Sequence, residues 1–157
     1  MPLKRSPQLQ PLSREHHEGL LLAWKIRQGM GKGVAPQRIA GYVLWFWNAE
    51  LEDHFRREEA AFHPALRGAE LLNRMQDEHE EIEGLMQVLA QIPDEVLLEE
   101  IAQKVNDHIR FEERVLFPWI ELELGEEKLQ TLSKTIDQKQ ERFVAPWVDE
   151  FWTTSAQ

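Results

Sequence analysis

Two stretches of the chain carry the same pattern, and this pattern decides the fold. They are DHFRREE at residues 53–59 and DHIRFEE at residues 107–113. The histidine, the glutamate pair and a later proline all keep one offset between the copies, 108 − 54 = 54. In each copy a glutamate follows the histidine by four residues, which places both side chains on one face of a helix. We therefore interpret the two stretches as a duplicated helix with a polar stripe.

A weaker repeat precedes each stretch, as REH at residues 14–16 and DEH at residues 77–79. The spacing of the neighbouring apolar residues predicts that one histidine of each motif points into the fold. Of the other histidines, His17 projects about 100° away from its neighbour and is the weaker candidate, and His63 is expected to be solvated. The inward-facing histidines are His16, His54, His79 and His108.

Helical spacing extends outward from these motifs, and turn residues divide it into segments. We find no alternating apolar and polar run, so no strand is predicted. The expected fold is all-α, an up-down four-helix bundle over residues 12–124. An irregular arm at 1–11 precedes it, and a short C-terminal helical extension at 125–157 packs on it. The predicted helices span about 12–28, 36–62, 70–91, 94–124 and 126–140.

The inward faces are expected to contain carboxylates. Burying Glu58 and Glu112 without a compensating cation would cost several kcal/mol each. Imidazole and carboxylate ligands together suit iron, manganese or zinc. Four histidines and two glutamates are more ligands than one tetrahedral zinc ion binds, and each carboxylate can bridge two cations. We therefore expect two ions. The alternative is a polar core without metal. The face that carries His108 is predicted to hold Ile101, Val105, Glu112, Val115 and Trp119.

Composition excludes several classes of protein. The chain has 157 residues, enough for one domain, and no cysteine, which rules out disulfides and thiolate-bound metals. Its formal net charge of −10 argues against nucleic acid or an anionic membrane as a partner. No apolar run approaches the roughly 20 residues of a membrane span, and residues 1–11 lack the apolar stretch of a signal peptide. We therefore expect a cytoplasmic protein.

The four motifs together resemble those of the hemerythrin family, specifically the hemerythrin-like (HHE) cation-binding domains of bacteria, over about residues 12–120. The resemblance implies an up-down four-helix bundle around a non-haem di-iron centre bridged by two carboxylates. It further implies that Glu58 and Glu112 are the bridges. The terminal ligands that it implies are His16, His54, His79 and His108.

Two positions depart from the oxygen carriers of that family. The carriers have a second histidine on the third helix, where this chain has Glu83. This glutamate either binds the metal, holds a water beside it, or leaves a coordination position open. The carriers also place an acidic residue five positions after the last histidine, which here is Glu113. Helical spacing favours Glu112, since the side chain at the fifth position points about 140° away, and Glu113 remains in reserve.

These observations predict a di-iron protein that senses or handles oxygen, nitric oxide, peroxide or iron itself, and that does not carry oxygen. The expected cofactor is two iron ions, with manganese or zinc as alternatives. Two other functions stay open: a di-iron oxidase or peroxidase-like enzyme, and a bundle whose metal is purely structural. Absorption in the near ultraviolet and visible distinguishes a ferric pair from zinc.

The last part of the chain is rich in large apolar side chains. This much apolar surface is expected to be covered, because a large exposed patch is uncommon on a soluble monomer. We expect the segment to fold back over the bundle, and the alternative is a homodimer contact. The residues are Phe143, Val144, Trp147, Val148, Phe151 and Trp152.

Overall fold

The computed structural model describes residues 4–140 and 144–153 and is built almost entirely of helices. Seven α-helices and two π-helical turns follow one another along the chain. The α-helices are α1 (Gln10–Gly31), α2 (Pro36–Phe46), α3 (Glu52–Ala65), α4 (Glu70–Gln91), α5 (Glu95–Phe111), α6 (Phe117–Glu123) and α7 (Glu126–Ile136). The first π-turn is Trp47–Leu51 and the second is Glu112–Leu116.

Four rods make up the bundle. The first π-turn joins α2 to α3, and the second joins α5 to α6, so each of these pairs runs as one rod beside α1 and α4. Short connections separate successive rods, and α5 packs against both α1 and α4. No strand occurs in residues 4–140 or 144–153. The prediction of an all-α, four-helix bundle is confirmed.

Three predicted helix ends differ from the observed ones, and one of them is the end of α7, which lies at Ile136 and not at about residue 140. The glycine-rich run at 29–33 was expected to end the first helix at about Gln28, but α1 continues to Gly31. The reversal comes at Gly33, whose φ of 74° suits a residue without a Cβ. Pro64 was expected to close the second helix, yet it lies within the last turn of α3. A proline there removes one hydrogen bond but leaves the preceding turns intact.

The second π-turn corrects one predicted face. Val115 was expected to point inward with His108, but 43% of its surface is exposed. Leu116 and Ile120 point inward in its place, and both are fully buried. A π-turn adds one residue to a turn, so every later side chain moves about 100° around the axis. The sequence pattern assumed uniform α-helical winding and so missed this shift.

The interior divides into two apolar clusters with a polar layer between them. The tail-side cluster is built mainly from α1, α2 and α5, and the α7-side cluster from the opposite part of the bundle. Buried aliphatic and aromatic side chains fill both, as close packing requires. Members of the tail-side cluster include Leu22, Ile26, Ile39, Phe46, Leu98 and Phe151. Members of the α7-side cluster include Leu12, Phe62, Met75, Phe117, Leu129 and Leu132.

The end of the chain lies against the tail-side cluster. Phe151 is fully buried, and the close approach needs glycine on α1, since a Cβ at Gly29 would lie 2.7 Å from the Phe151 ring. The Trp45 indole donates a hydrogen bond of 2.7 Å to the Ala145 carbonyl oxygen. Arg38 donates two hydrogen bonds to Asp149, of 2.6 and 2.7 Å. The segment therefore covers apolar surface of its own chain.

Within residues 125–140 and 144–153, helical structure is limited to α7. Residues 144–150 form no helix, although the extension at 125–157 was expected to be helical. Val148 is 88% exposed, and Phe143 lies outside the described residues. Among the helices described, none is both long and apolar enough to cross a lipid bilayer.

Candidate metal centre

Six polar side chains meet in the layer between the two apolar clusters. Helix α1 supplies His16 and α4 supplies His79, while the other two rods each supply a histidine and the glutamate that follows it by four residues. Both glutamates are completely buried, and at most 4% of any of the four histidines is exposed. The members are His16, His54, Glu58, His79, His108 and Glu112.

The first group of donors, which we call position A, consists of two histidines and both glutamates. Nε2 of His16 lies 2.8 Å from Oε1 of Glu112 and 3.6 Å from Oε2 of Glu58. Nε2 of His54 lies 3.3 Å from the same Glu58 oxygen. One donor atom from each of the four residues falls within a sphere in which all pairs are at most 4.8 Å apart.

The second group, position B, uses the same glutamates with the other two histidines. Nε2 of His79 lies 3.2 Å from Oε1 of Glu58 and 3.6 Å from Oε2 of Glu112. Nε2 of His108 lies 3.3 Å from Oε1 of Glu112. Glu58 thus turns one oxygen to each position, which is the arrangement of a carboxylate that bridges two cations.

The donor atoms fit metal ions better than they fit one another. Six buried donor atoms have no hydrogen-bond partner. They are Nε2 of His54, His79 and His108, both carboxylate oxygens of Glu58, and Oε2 of Glu112. Unpaired buried polar atoms are costly, so a cluster of six calls for a missing partner. Ligands held about 2.0–2.2 Å from one ion lie roughly 3 Å apart, which is close to the spacings found here.

Each of the four histidines is oriented from behind by a carboxylate. Nδ1 of His16 lies 2.8 Å from Glu113, and Nδ1 of His54 lies 2.9 Å from Glu15. A carboxylate on Nδ1 fixes the tautomer that leaves Nε2 free to bind a metal. The same contact joins His79 to Glu59 at 2.7 Å and His108 to Glu78 at 2.8 Å.

The duplication in the sequence appears in space as an approximate twofold relation. An offset of 63 relates His16 to His79 and Glu15 to Glu78, while the offset of 54 relates the other rods. The contact between His54 and Glu15 therefore corresponds to that between His108 and Glu78. Both positions receive two imidazoles and two shared carboxylates, so their immediate donor sets are equal.

The donors hold strong opposite charges when no ion lies between them. Burial alone would lower the pKa of His16 and His79, but the negative charge of the surrounding glutamates raises it well above the usual value. Burial would raise the pKa of Glu58, but His54 and His16 lower it to about 2. Protonated imidazoles thus supply the positive charge that the buried carboxylates require, and a metal has to displace those protons.

Four further residues that the sequence singled out lie outside the two positions. Glu83 is exposed and borders an open cleft next to His79, so the structure does not bring it to either group. Glu113 orients His16 and accepts a hydrogen bond from Ser13, while Glu112 belongs to both groups. His17 is exposed. His63 is half-buried, not solvated as expected, and contacts Gln76 at 2.9 Å.

The sequence analysis missed the role of the carboxylates behind the histidines. Glu15, Glu59 and Glu78 each stand next to a residue of the centre, yet each contacts a histidine on another helix. The available signal was that each acid recurs at the same offset in both halves of the duplication. The partner of each acid depends on how neighbouring rods pack, and a sequence pattern does not contain this.

A narrow apolar cavity leads to the centre from the side of α1 and α2. It has a volume of about 20 Å³, enough for one small molecule, and three histidines of the centre border its inner end. Glu18, Phe46 and Glu50 line it and also line a cleft of about 650 Å³ on the surface. Other residues of the cavity are Gly19, Leu51, Phe55, Val105 and Ile109. The aromatic residues of the cleft are Tyr42, Trp45, Phe46, Trp147 and Trp152.

A helical bundle with four inward histidines and two shared carboxylates defines a class of cation-binding proteins with a buried two-position site. The family model described as the hemerythrin HHE cation-binding domain matches residues 8–120. Since this is well over half of the chain, the protein belongs to the hemerythrin family. No curated protein and no solved structure matches the chain.

Proposed function

We propose that this protein is a non-haem di-iron protein, with one ion at position A, one at position B, and Glu58 and Glu112 as bridges between them. The observation that carries the proposal is the cluster of unpartnered donor atoms in a fully buried layer. The remaining ligands would be the four histidines through Nε2, since Nδ1 of each is already engaged by a carboxylate. A pair of iron ions would supply redox chemistry and Lewis acidity toward small ligands.

We further propose that the centre senses or handles oxygen, nitric oxide, peroxide or iron itself. The narrow cavity supports a small, uncharged ligand, because its volume is about 20 Å³ and a charged molecule would lose its hydration against the mostly apolar lining. Reversible oxygen carriage is disfavoured by the equal donor sets. Oxygen carriage needs one ion whose coordination is completed by protein nitrogen ligands and a second ion with a single open position. Each position here receives only two imidazoles.

The two carboxylates shared by the positions also favour the ferric state, because anionic donors stabilise the higher charge. We expect the iron-loaded protein to oxidise rapidly in air and not to return to the diferrous state when oxygen is removed. Absorption spectroscopy during cycles of air and argon measures this. An oxygen adduct that survives for many minutes and reverses under argon would contradict the proposal.

A cavity-filling variant tests the route of the ligand. Val105→Leu adds one methylene group to a cavity of about 20 Å³. We expect nitric oxide to bind the iron-loaded variant several-fold more slowly in stopped-flow absorption, with the metal content unchanged. Val88→Leu on the exposed side of α4 is the control, since Val88 is 48% exposed and far less able to affect the cavity.

A di-iron oxidase or peroxidase-like enzyme is a second candidate, favoured by the surface cleft. Its volume of about 650 Å³ lies in the range of small-molecule sites, and five aromatic side chains line it. A reductant bound there would lie at the outer end of the narrow cavity. Turnover of hydrogen peroxide with an aromatic reductant, lost in Trp147→Ala at constant metal content, would favour this candidate.

A further inference from the structure

The two positions of the centre have equal donors but unequal supports. We propose that position A (His16 and His54) holds a resident ion and that position B (His79 and His108) exchanges its divalent cation with the solution. This inference rests on the proposed two-ion centre and adds that its two ions are released at different rates.

The difference begins one contact behind the histidines, at a pair of related glutamates. Glu15 and Glu78 are equally exposed, each with 24% of its side chain accessible. Glu15 contacts Arg57, whose side chain is 2% exposed. Glu78 contacts Arg74, whose side chain is 55% exposed. Exposed ion pairs restrain their members weakly, whereas a buried guanidinium with several partners has one geometry.

Arg57 connects position A to the rest of the fold. Its guanidinium donates to Asp53 at 2.9 Å and to the carbonyl oxygen of Ile136, at the end of α7, at 3.1 Å. The residue related to Arg57 by the offset of 54 is Phe111, whose ring lies 3.9 Å from the exposed guanidinium of Arg74 but donates no hydrogen bond. Movement of His54 would therefore disturb α7, whereas movement of His108 disturbs one surface ion pair and the contact of its arginine with a ring.

The second carboxylate of each position shows the same inequality. Glu113, behind His16, also accepts a hydrogen bond from Ser13 at 2.8 Å and lies 3.7 Å from Arg5. Glu59, behind His79, has no further hydrogen-bond or ion-pair partner within the described parts of the chain. Their side chains are again equally exposed, at 31% and 32%.

Charge does not explain the inequality, because the excess of negative charge is the same on both sides. Among groups joined by these contacts, carboxylates outnumber guanidinium groups by one at each position. Ring packing does not explain it either. His16 of position A stacks on Phe117, and His79 of position B stacks on Phe55. The remaining difference is the rigidity of the ligands, which governs how well they are preorganised.

Access from solvent follows the same division. An open cleft of about 230 Å³ ends on His79, and another of about 220 Å³ ends on His108. Carboxylates line both clefts, including Glu59 and Glu80 in the first and Glu78 and Glu81 in the second. Of these three openings, His16 and His54 border the narrow apolar cavity alone, whereas His108 borders both that cavity and a polar cleft. A hydrated cation can approach a polar cleft far more easily than an apolar passage.

The test is the release of zinc from the fully loaded protein into a colorimetric chelator. We expect two phases of one ion each, with rate constants at least tenfold apart. His108→Ala, which damages position B, should keep one ion that leaves slowly. His54→Ala, the matched change at position A, should keep one ion that leaves quickly. Release of both ions at one rate, or the opposite assignment in these variants, would overturn the inference.

Paired variants behind the histidines identify the cause. Glu15→Gln should accelerate the slow phase about 10- to 100-fold, the usual effect of losing such a partner. Glu78→Gln should leave the slow phase unchanged. Arg57→Met should act as Glu15→Gln does, and circular dichroism checks that both variants remain helical; if Arg57→Met unfolds, Glu15→Gln alone decides. If the rate constant of the slow phase is unchanged in Glu15→Gln, the inference is wrong.

The experiment separates this inference from the proposed function. If the wild-type protein binds two zinc ions but releases them together, the two-ion centre stands and the inequality is wrong. If it binds fewer than two ions at saturation, both are wrong.

Discussion

The polar layer and the apolar clusters on either side of it stabilise the fold in different ways. The clusters are complete, because the end of the chain covers one and α7 covers the other. The polar layer is incomplete, since six buried donor atoms have no hydrogen-bond partner. The apolar ends therefore supply stability from packing alone, whereas the middle depends on cations. This contrast indicates that the polar layer is kept for function and that metal removal should act there first.

The largest expected effect is at a bridging glutamate. Glu58→Gln removes a charge shared by both positions, so we expect the variant to lose both ions. His54→Ala removes one ligand of position A, and we expect it to keep one ion. Elemental analysis after dialysis measures the metal content. If Glu58→Gln keeps two ions, the layer does not bind metal through this carboxylate.

The stability of the tail-side cluster should depend on one buried side chain, and this dependence should not involve the metal content. Phe151 is fully buried against α1, and truncating such a ring costs about 3–5 kcal/mol. We expect Phe151→Ala to lower the free energy of unfolding by that amount while keeping both ions. Val148→Ala is the matched control, because Val148 is 88% exposed. Loss of oligomer size in place of stability would instead support the homodimer contact.

The pH dependence of stability should change sign when the ions are removed. In the ion-free protein the raised pKa values of His16 and His79 favour the folded state below about 6.5, and this stability is lost as pH rises through the raised values. The lowered pKa of Glu58 adds stability above about 4.5 that is lost as pH falls toward about 2.

The melting temperature of the ion-free protein should therefore be highest at about pH 4.5–6.5 and fall on the alkaline side. The metal-loaded protein should behave oppositely there, because acid protonates the ligands and releases the ions. Calorimetry of both forms between pH 5 and pH 9 measures this. Parallel curves for the two forms would show that protons and metal do not compete for the layer.

The smallest expected effect is at Glu83. Its side chain is exposed and outside both positions, so Glu83→Gln should leave the metal content and the melting temperature unchanged. Exposed substitutions of this kind usually change stability by no more than about 0.5 kcal/mol. Loss of an ion in this variant would return Glu83 to the ligand set.

The sequence could predict the bundle and the six residues that meet at its centre, because helical periodicity determines which side chains share a face. It could not predict which side chains face the core beyond Glu112, because the second π-turn turns Leu116 inward and leaves Val115 exposed. Contacts between rods were also beyond its reach. Glu83 was considered as a ligand because it follows His79 by four residues. Whether its side chain reaches the centre depends on the packing of α4, and the side chain is exposed.

The most direct test of the two-position centre is the iron content of the protein after anaerobic reconstitution with ferrous iron and removal of the excess. We expect two iron ions per chain in the wild-type protein, and two in His63→Ala, whose histidine contacts Gln76 outside the centre. One ion or fewer per wild-type chain would contradict it.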